Sequence, residues 1–207
     1  MHVLAIIPAV GNEDFTKRGL VRCGGKTLLS RAIVELRRSL FIDRIVVISN
    51  DYAVLDHARI CTAKALYSNV RFPSVRSIAT QAIYEVERHV TNYIPDILLM
   101  VNWRAPLLVS HDYTGAIDCL VNGLGDCVYS ASGGSKLKTG ISKTNPELGV
   151  SIHNYFPGFY GCYYGDFLET KMFRNGRVVM FPVTKDRAVT IKSPETLEYA
   201  DKFLQER

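Results

Sequence analysis

Glycine and basic residues gather in the segment that follows the first apolar run of the chain. Residues 8–25 contain glycines at positions 11, 19, 24 and 25, and Lys17 and Arg18 lie beyond the middle of the segment. Backbone N–H groups of a glycine-containing loop, together with nearby cations, are suited to bind phosphate. Glu13 and Asp14 lie in the same loop and bring the opposite charge. The segment is therefore interpreted as a phosphate-binding loop or as the remnant of one.

A second polar group follows an apolar run near the middle of the chain. Asn102, Trp103 and Arg104 come directly after the run DILLMV, and a side-chain amide can both donate to and accept from the edge of a base. The alternative is a structural turn before Pro106. We treat Asn102 and Arg104 as candidate ligand contacts. His153 is a further candidate because it lies in a polar segment, whereas three other histidines lie on predicted helices.

The five cysteines are odd in number and form no C-x-x-C pair. This pattern indicates reduced, mostly buried thiols in a cytoplasmic protein and argues against a zinc site. Cys23 lies beside Gly24 and Gly25. It is a candidate nucleophile only if a base lies next to it, and the sequence does not reveal one.

The composition is typical of a soluble globular domain. The 207 residues, 47% hydrophobic and 22% charged, fit a single domain over residues 1–207 with a sizeable core. The net charge of +5 is modest and no run of Lys and Arg stands out, so binding to nucleic acid is not implied. The apolar start is too short to span a membrane and predicts a core strand, and no other segment reaches spanning length.

Apolar runs alternate with helical periodicity along the first two thirds of the chain, which predicts βαβ units. The fold class is therefore α/β: a Rossmann-like three-layer α/β/α arrangement with a mainly parallel mixed sheet. A small β-hairpin excursion is expected after about residue 132, where glycine and polar residues dominate. Predicted strands cover His2–Pro8, Arg44–Ser49, Ala65–Tyr67, Asp96–Asn102, Asp126–Ser132, Arg177–Val183 and Ala188–Ile191, and predicted helices cover Thr27–Ser39, Asp51–Ala63, Ser74–Val90, His111–Val121 and Ser193 onwards.

These elements position the polar groups, because ligands of such sheets bind beyond the carboxyl ends of the strands. Residues 8–26, 49–51, 102–106 and 130 onwards are the candidates by this rule. The segment 133–165 is expected to hold the excursion and a dimerisation surface.

Five stretches together resemble the cytidylyltransferases of the CMP-sialic acid synthetase type. The family motifs IIPARGG, GKPLI, IDRVVVSTDD, QPTSPLR and DIDTPEDLELAE resemble, in the same order, LAIIPAVG, GGKTLLSRAI, FIDRIVVISND, DILLMVNWRAPL and VTIKSPETLEYADKFL of this chain. The register holds from residue 1 to about residue 204.

The resemblance implies a reaction. In the family a hydroxyl of an acidic sugar attacks the α-phosphate of CTP, the CMP-sugar forms and pyrophosphate leaves, with Mg²⁺ and basic residues neutralising charge. It also implies a homodimer and a role in surface-glycan synthesis. Carried over by motif, the catalytic candidates are Lys17, Arg18, Lys26 and Lys192; nucleotide contacts are expected at Ala9, Val10, Gly11, Asn12, Arg71, Ser77, Asn102 and Arg104, and substrate contacts at Tyr160 and His153.

The chain also departs from the family pattern where charge matters. Val10 replaces the arginine after IIPA, and Tyr160 aligns with a family asparagine. Thr190 and Lys192 replace the two aspartates that help to hold the metal, so the sequence leaves Mg²⁺ open and assigns no metal ligand. Glu13 and Asp14 with Lys192 are interpreted as an exchange of charges or as parallel losses.

Three functions follow from these observations. The first is a divergent cytidylyltransferase acting on an acidic sugar or a related acid. The second is a catalytically inactive homologue that binds a nucleotide or a partner. The third is a nucleotidyltransferase with another acceptor, such as a phosphonate or a sugar phosphate.

Overall fold

The first apolar run forms the central strand of a large sheet. In the computed structural model, which describes residues 1–10, 18–68, 75–89, 93–133, 138–142 and 155–206, strand β1 covers Val3–Ala9 and is almost entirely buried. It pairs in parallel with a strand on each side, Ile6 lying opposite Val46 of one and Met100 of the other. Burial on both faces explains why this strand is a continuous apolar run.

The strands and helices follow in regular alternation. The further strands are β2 (Arg22–Cys23), β3 (Lys26–Thr27), β4 (Ile42–Ser49), β5 (Lys64–Tyr67), β6 (Ile97–Val101), β7 (Cys127–Ser132), β8 (Lys138–Ser142), β9 (Tyr155–Tyr163) and β10 (Gly176–Val183). The helices are α1 (Leu28–Arg37), α2 (Tyr52–Ile60), α3 (Val75–His89), α4 (Ser110–Val121), α5 (Tyr164–Thr170) and α6 (Pro194–Gln205), with a short 3₁₀ turn at Arg18–Leu20.

Within the described residues, eight strands form one mixed sheet in the order β5-β4-β1-β6-β9-β7-β10-β8. β9 is antiparallel to both of its neighbours, β6 and β7, and β8 runs antiparallel to β10 at the edge. The other six strands run in one direction. The predicted mainly parallel mixed sheet is confirmed.

Helices cover both faces of the sheet, so the predicted three layers are confirmed. One buried cluster packs α1, α2, α4 and α6 against one face, with Leu29, Val54 and Ile117 among its members. A second cluster packs α3 and α5 against the other face through Ile83 and Phe167. The apolar spacing of these helices places one stripe of each against the sheet.

Three of the helices begin after a polar N-cap residue. The Thr27 hydroxyl accepts a hydrogen bond from the Ser30 N–H at 3.0 Å, and the Asp51 carboxylate accepts one from the Ala53 N–H at 2.8 Å. Ser193 is the N-cap residue of α6, and Pro194 is its first residue. The Thr27 and Asp51 side chains each satisfy a backbone donor that has no partner inside its helix.

The predicted strand at Ala188–Ile191 is wrong, since the structure assigns no strand there. The chain turns instead: the N–H groups of Arg187 and Ala188 both donate to the Thr184 carbonyl, at 3.0 and 2.9 Å. The edge of β10 that a further strand could join is occupied by β8. The β-branched residues of this stretch are therefore not sufficient to form a strand.

Two further features differ from the sequence interpretation. β9, within the segment expected to form the excursion, lies inside the main sheet between β6 and β7. β2 and β3 form a two-stranded ladder where a loop is predicted, because Gly24 and Gly25 take positive φ angles of 55° and 76° that close a tight turn.

Candidate functional site

The carboxyl ends of the parallel strands meet at one edge of the sheet. Ala9 and Ser49 end neighbouring strands, and the Ser49 hydroxyl donates to the Ala9 carbonyl at 2.7 Å. The same hydroxyl accepts from the Asp51 N–H at 3.1 Å. These bonds hold the ends of β1 and β4 together at the start of α2, so this edge is the place where the fold can present a ligand site.

The segment after β6 forms a tight turn at the same edge. The Asn102 side-chain oxygen accepts from the Arg104 N–H at 3.1 Å, and the Asn102 N–H donates to the Gly158 carbonyl at 2.9 Å. Trp103 is 1% exposed and its indole N–H donates to the Pro8 carbonyl at 3.2 Å. The turn is thereby tied to β1 and to β9, and Arg104 has a fixed backbone position.

The segment before α6 is fixed beside this turn. The Ile191 N–H donates to the Arg104 carbonyl at 2.7 Å, so Lys192 follows a residue bonded to the backbone of Arg104. Farther back, the Arg187 guanidinium binds both carboxylate oxygens of Asp112, at 2.6 and 2.9 Å. No sequence pattern indicated the pairing of these two residues, which are distant in the chain.

A pocket of about 260 Å³ lies between these two segments. Its charged residues are Arg104 and Lys192, and most of its remaining wall is apolar. Its lining residues are Val21, Leu28, Trp103, Arg104, Ile191, Lys192, Ser193, Pro194 and Leu197. The pocket therefore combines two cations with an apolar wall, an arrangement suited to a ligand that carries an anionic group. Periodicity predicts Leu28 as core, and nothing in the sequence marked the wall residues as a pocket.

Lys26, a catalytic candidate, is exposed in β3 and is not among the residues that line the pocket. The neighbouring turn is held by Arg31, whose guanidinium donates to the carbonyls of Cys23 and Gly24, and the Gly24 N–H donates to the Asp201 carboxylate at 2.5 Å. Burial raises the pKa of the Cys23 thiol. This favours the protonated form, so the structure argues against Cys23 as a nucleophile.

Val10 and Tyr160 pack on the other face of the sheet from the pocket wall. Tyr160 stacks on Tyr129 with ring centroids 5.6 Å apart and meets the edge of Phe173 at 4.9 Å. Since Tyr160 belongs to a packed aromatic group, the structure does not bring it to the Arg104 pocket. Its role as a substrate contact stays a prediction.

Several candidates lie outside the described residues. They are Gly11, Asn12, Glu13, Asp14, Lys17, Arg71 and His153, and the side chains of Arg18 and Ser77 are likewise not described. The structure therefore joins Arg104 and Lys192 in one pocket, with Asn102 shaping the turn between strand and pocket. The loop that follows Val10 lies outside the described residues.

The described residues of the pocket do not fit a divalent cation. Mg²⁺ takes oxygen ligands, mainly carboxylates, whereas the charged side chains here are a guanidinium and an ammonium. Thr190 is half-buried beside Lys192 and offers one neutral hydroxyl. Across the part of the chain that the structure describes, no group of three His, Cys, Asp or Glu residues could hold a metal ion.

No family model matches the chain, and no curated protein matches it in sequence. Solved structures do match in fold. A CMP-2-keto-3-deoxy-manno-octonic acid synthetase complexed with CTP has a TM-score of 0.68 at 11% identity, with 100% of this chain and 99% of that one covered.

Two other solved structures also match over nearly the whole length of both chains. A nucleotidyl transferase from Methanothermobacter thermautotroptrophicus has a TM-score of 0.69 at 11% identity, covering 100% of this chain and 99% of that one. The chain has the nucleotidyltransferase fold. A 4-diphosphocytidyl-2C-methyl-D-erythritol synthase from Anaerococcus prevotii has a TM-score of 0.67 at 14% identity, covering 99% of this chain and 98% of that one.

The nucleotidyltransferase fold is thus shared over the whole length of each chain, at identities that show architecture alone. Among the described residues, no helix is both long enough and apolar enough to cross a membrane.

Proposed function

We propose that this chain is a cytidylyltransferase that transfers CMP from CTP to an acidic sugar, or to a related small acid, and releases pyrophosphate. The observation that carries the proposal is the cationic pocket between Arg104 and Lys192, which lies at the carboxyl edge of a nucleotidyltransferase fold. One protein of this fold was solved with CTP bound.

The reaction needs little chemistry from side chains. A hydroxyl oxygen of the acceptor attacks the α-phosphorus of CTP, the bond from that phosphorus to the bridging oxygen breaks, and pyrophosphate leaves while the acceptor loses its proton. Such a transfer depends on positioning and on neutralising negative charge. Arg104 and Lys192 supply positive charge, and the hydrogen bond between the Ile191 N–H and the Arg104 carbonyl keeps the two segments together.

The acidic acceptor fits the character of the pocket. A guanidinium binds carboxylate or phosphate oxygens in a two-pronged geometry, and the apolar residues of the wall can contact the carbon skeleton of a ligand. By the resemblance of the sequence, the product is a CMP-activated sugar for a surface glycan, made in the cytoplasm by a homodimer. A phosphonate or a sugar phosphate is the alternative acceptor.

The test is release of pyrophosphate from CTP with a panel of acidic sugars, phosphonates and sugar phosphates. We expect release with at least one acidic sugar. We also expect Arg104→Met to reduce the rate at least tenfold, because one charge-assisted contact contributes about 1.5–3 kcal/mol. Lys64→Met is the matched control, since Lys64 is exposed at the start of the edge strand β5 and does not line the pocket. No release with any acceptor would contradict the enzyme proposal.

A second candidate is a homologue that binds a nucleotide without transferring it. It is favoured by the pocket itself, in which no carboxylate lies among the described lining residues and Lys192 is exposed. This candidate predicts that CTP raises the melting temperature while no acceptor yields pyrophosphate.

A further inference from the structure

Arg104 and Lys192 are held side by side by the backbone. Arg104 lies in the turn after β6, where the Asn102 side chain binds its N–H. Its carbonyl accepts from the Ile191 N–H at 2.7 Å, and Lys192 follows at once, before the first turn of α6. The fold itself therefore places the two cationic residues next to each other.

The lysine charge is not neutralised by its described surroundings. Lys192 is exposed, and among the described residues no acidic side chain lines the pocket. The Arg104 guanidinium lies over the Trp103 ring, 6.0 Å from its centroid. The described lining of the pocket thus contributes two cations and no carboxylate, a set of side chains that suits an anion and not a divalent cation.

The wall of the pocket strengthens this preference. Val21, Leu28, Trp103, Ile191 and Leu197 contribute apolar surface beside the two cations, and this surface screens the charge of the half-buried Arg104 less than water does. The volume of about 260 Å³ accommodates a phosphate or carboxylate group together with part of the molecule that carries it.

We infer that this pocket binds the anionic group of its ligand directly through Arg104 and Lys192 and needs no divalent cation to do so. The inference rests on the proposed function, since it concerns how the same site holds its nucleotide or its acidic acceptor. It goes further by assigning to Lys192 the charge neutralisation that a metal ion otherwise supplies.

Trp103 provides a direct readout of binding. It is the one tryptophan of the chain, it is buried and it lines the pocket, so its fluorescence reports a ligand there without any turnover. The experiment titrates CTP, pyrophosphate and free N-acetylneuraminate into the full chain, once with excess chelator and once with Mg²⁺. The three ligands distinguish a phosphate from a carboxylate as the bound group.

For the wild type we expect dissociation constants that agree within about threefold between chelator and Mg²⁺. For Lys192→Asp we expect at least tenfold weaker binding in chelator, recovered when Mg²⁺ is added, because the new carboxylate offers a cation a ligand. Lys64→Asp makes the same charge change outside the pocket and is expected to leave all constants within threefold. Circular dichroism shows whether each variant is folded.

Binding by the wild type only in the presence of Mg²⁺ would overturn this inference and leave the proposed function standing. Equal affinities for the wild type and Lys192→Asp in chelator would overturn it as well. Absence of CTP binding in both buffers, by fluorescence and by calorimetry, would overturn the proposed function and this inference with it.

Discussion

Arg187 and Asp112 form a buried two-pronged ion pair that fixes the segment leading to Lys192. The side chains are 14% and 3% exposed, and the Asp112 carboxylate also accepts from the Val109 N–H at 2.9 Å, at the start of α4. The pair therefore joins the turn after β10 to a helix on one face of the sheet. Loss of either partner leaves the other charge buried without compensation.

Replacing Arg187 by Met is expected to lower the free energy of unfolding by about 3–5 kcal/mol, the range for breaking one side of a buried ion pair. Arg177→Met is the matched control, because the Arg177–Asp126 pair is much more exposed, with side chains 54% and 34% accessible. That change is expected to cost at most about 1 kcal/mol. Urea unfolding of both variants measures the difference, and equal losses would contradict the role of the buried pair.

Gly24 is expected to tolerate a side chain less well than Gly25. Both residues have positive φ, but a Cβ atom on Gly24 would lie 2.9 Å from the Leu204 Cβ and collide with the Arg31 guanidinium, whereas one on Gly25 meets nothing within 4 Å.

Gly25→Ala should therefore cost about 1–2 kcal/mol for the backbone alone. Gly24→Ala should cost roughly 1–3 kcal/mol more, because α1 and α6 must move. Thermal unfolding of the two variants tests this ordering, and the reverse order would show that the turn is not packed against these helices.

Cys127 and Cys162 lie opposite each other on β7 and β9, and burial governs their ionisation. It raises the pKa of Cys127 to about 11 and raises that of Cys162 further. The unfolded thiols ionise at lower pH, so the stability contributed by the neutral thiols is complete below about pH 9 and is lost as the pH rises through the folded value.

The rise in the pKa of Cys127 from about 9 to about 11 corresponds in full to roughly 3 kcal/mol, of which about 2 kcal/mol is lost by pH 11. The fall in unfolding free energy between pH 8.5 and pH 11 should be about that much smaller in Cys127→Ala than in the wild type. Cys61→Ala, at a half-exposed thiol, is expected to change the pH profile far less. If the unfolding free energy of Cys127→Ala depended on pH as that of the wild type does, the raised pKa of Cys127 would be contradicted.

Arg104→Met is expected to weaken binding of CTP or pyrophosphate by roughly 10- to 100-fold, because a charge-assisted hydrogen bond contributes about 1.5–3 kcal/mol. Met keeps much of the side-chain length, so the Trp103 ring stays covered. Calorimetry at two salt concentrations measures the effect, which should shrink as salt rises. An affinity within threefold of the wild type would place the anion elsewhere.

Local patterns were sufficient for most of the fold. Continuous apolar runs predicted the buried strands such as Val3–Ala9 and Ile97–Val101, and three-to-four spacing predicted α1 through its buried residues Leu29 and Ile33. These signals are strong because burial of each element depends on its own side chains. The position of β9 inside the sheet is different, since it depends on pairing with strands that are distant in sequence.

The site was predictable in part. Asn102 and Arg104 directly follow a predicted strand, so their position indicated them, whereas Lys192 was indicated by its place in the family motif. The hydrogen bond from Ile191 to Arg104, the ion pair of Arg187 with Asp112 and the apolar wall each join residues far apart in the chain. Neither periodicity nor motif spacing reports such contacts, and the incorrect strand at Ala188–Ile191 arose for the same reason.

The measurement that decides the nucleotide proposal is a thermal-shift screen of the full chain with CTP, CMP, UTP and ATP, each with and without Mg²⁺. At about 100 times its dissociation constant a ligand adds about 2.7 kcal/mol of stability, which corresponds to a rise of roughly 5–10 °C for a chain of this size. We predict that CTP gives this rise with and without Mg²⁺, and that UTP and ATP give a smaller one. No rise with any of the four nucleotides would contradict the account.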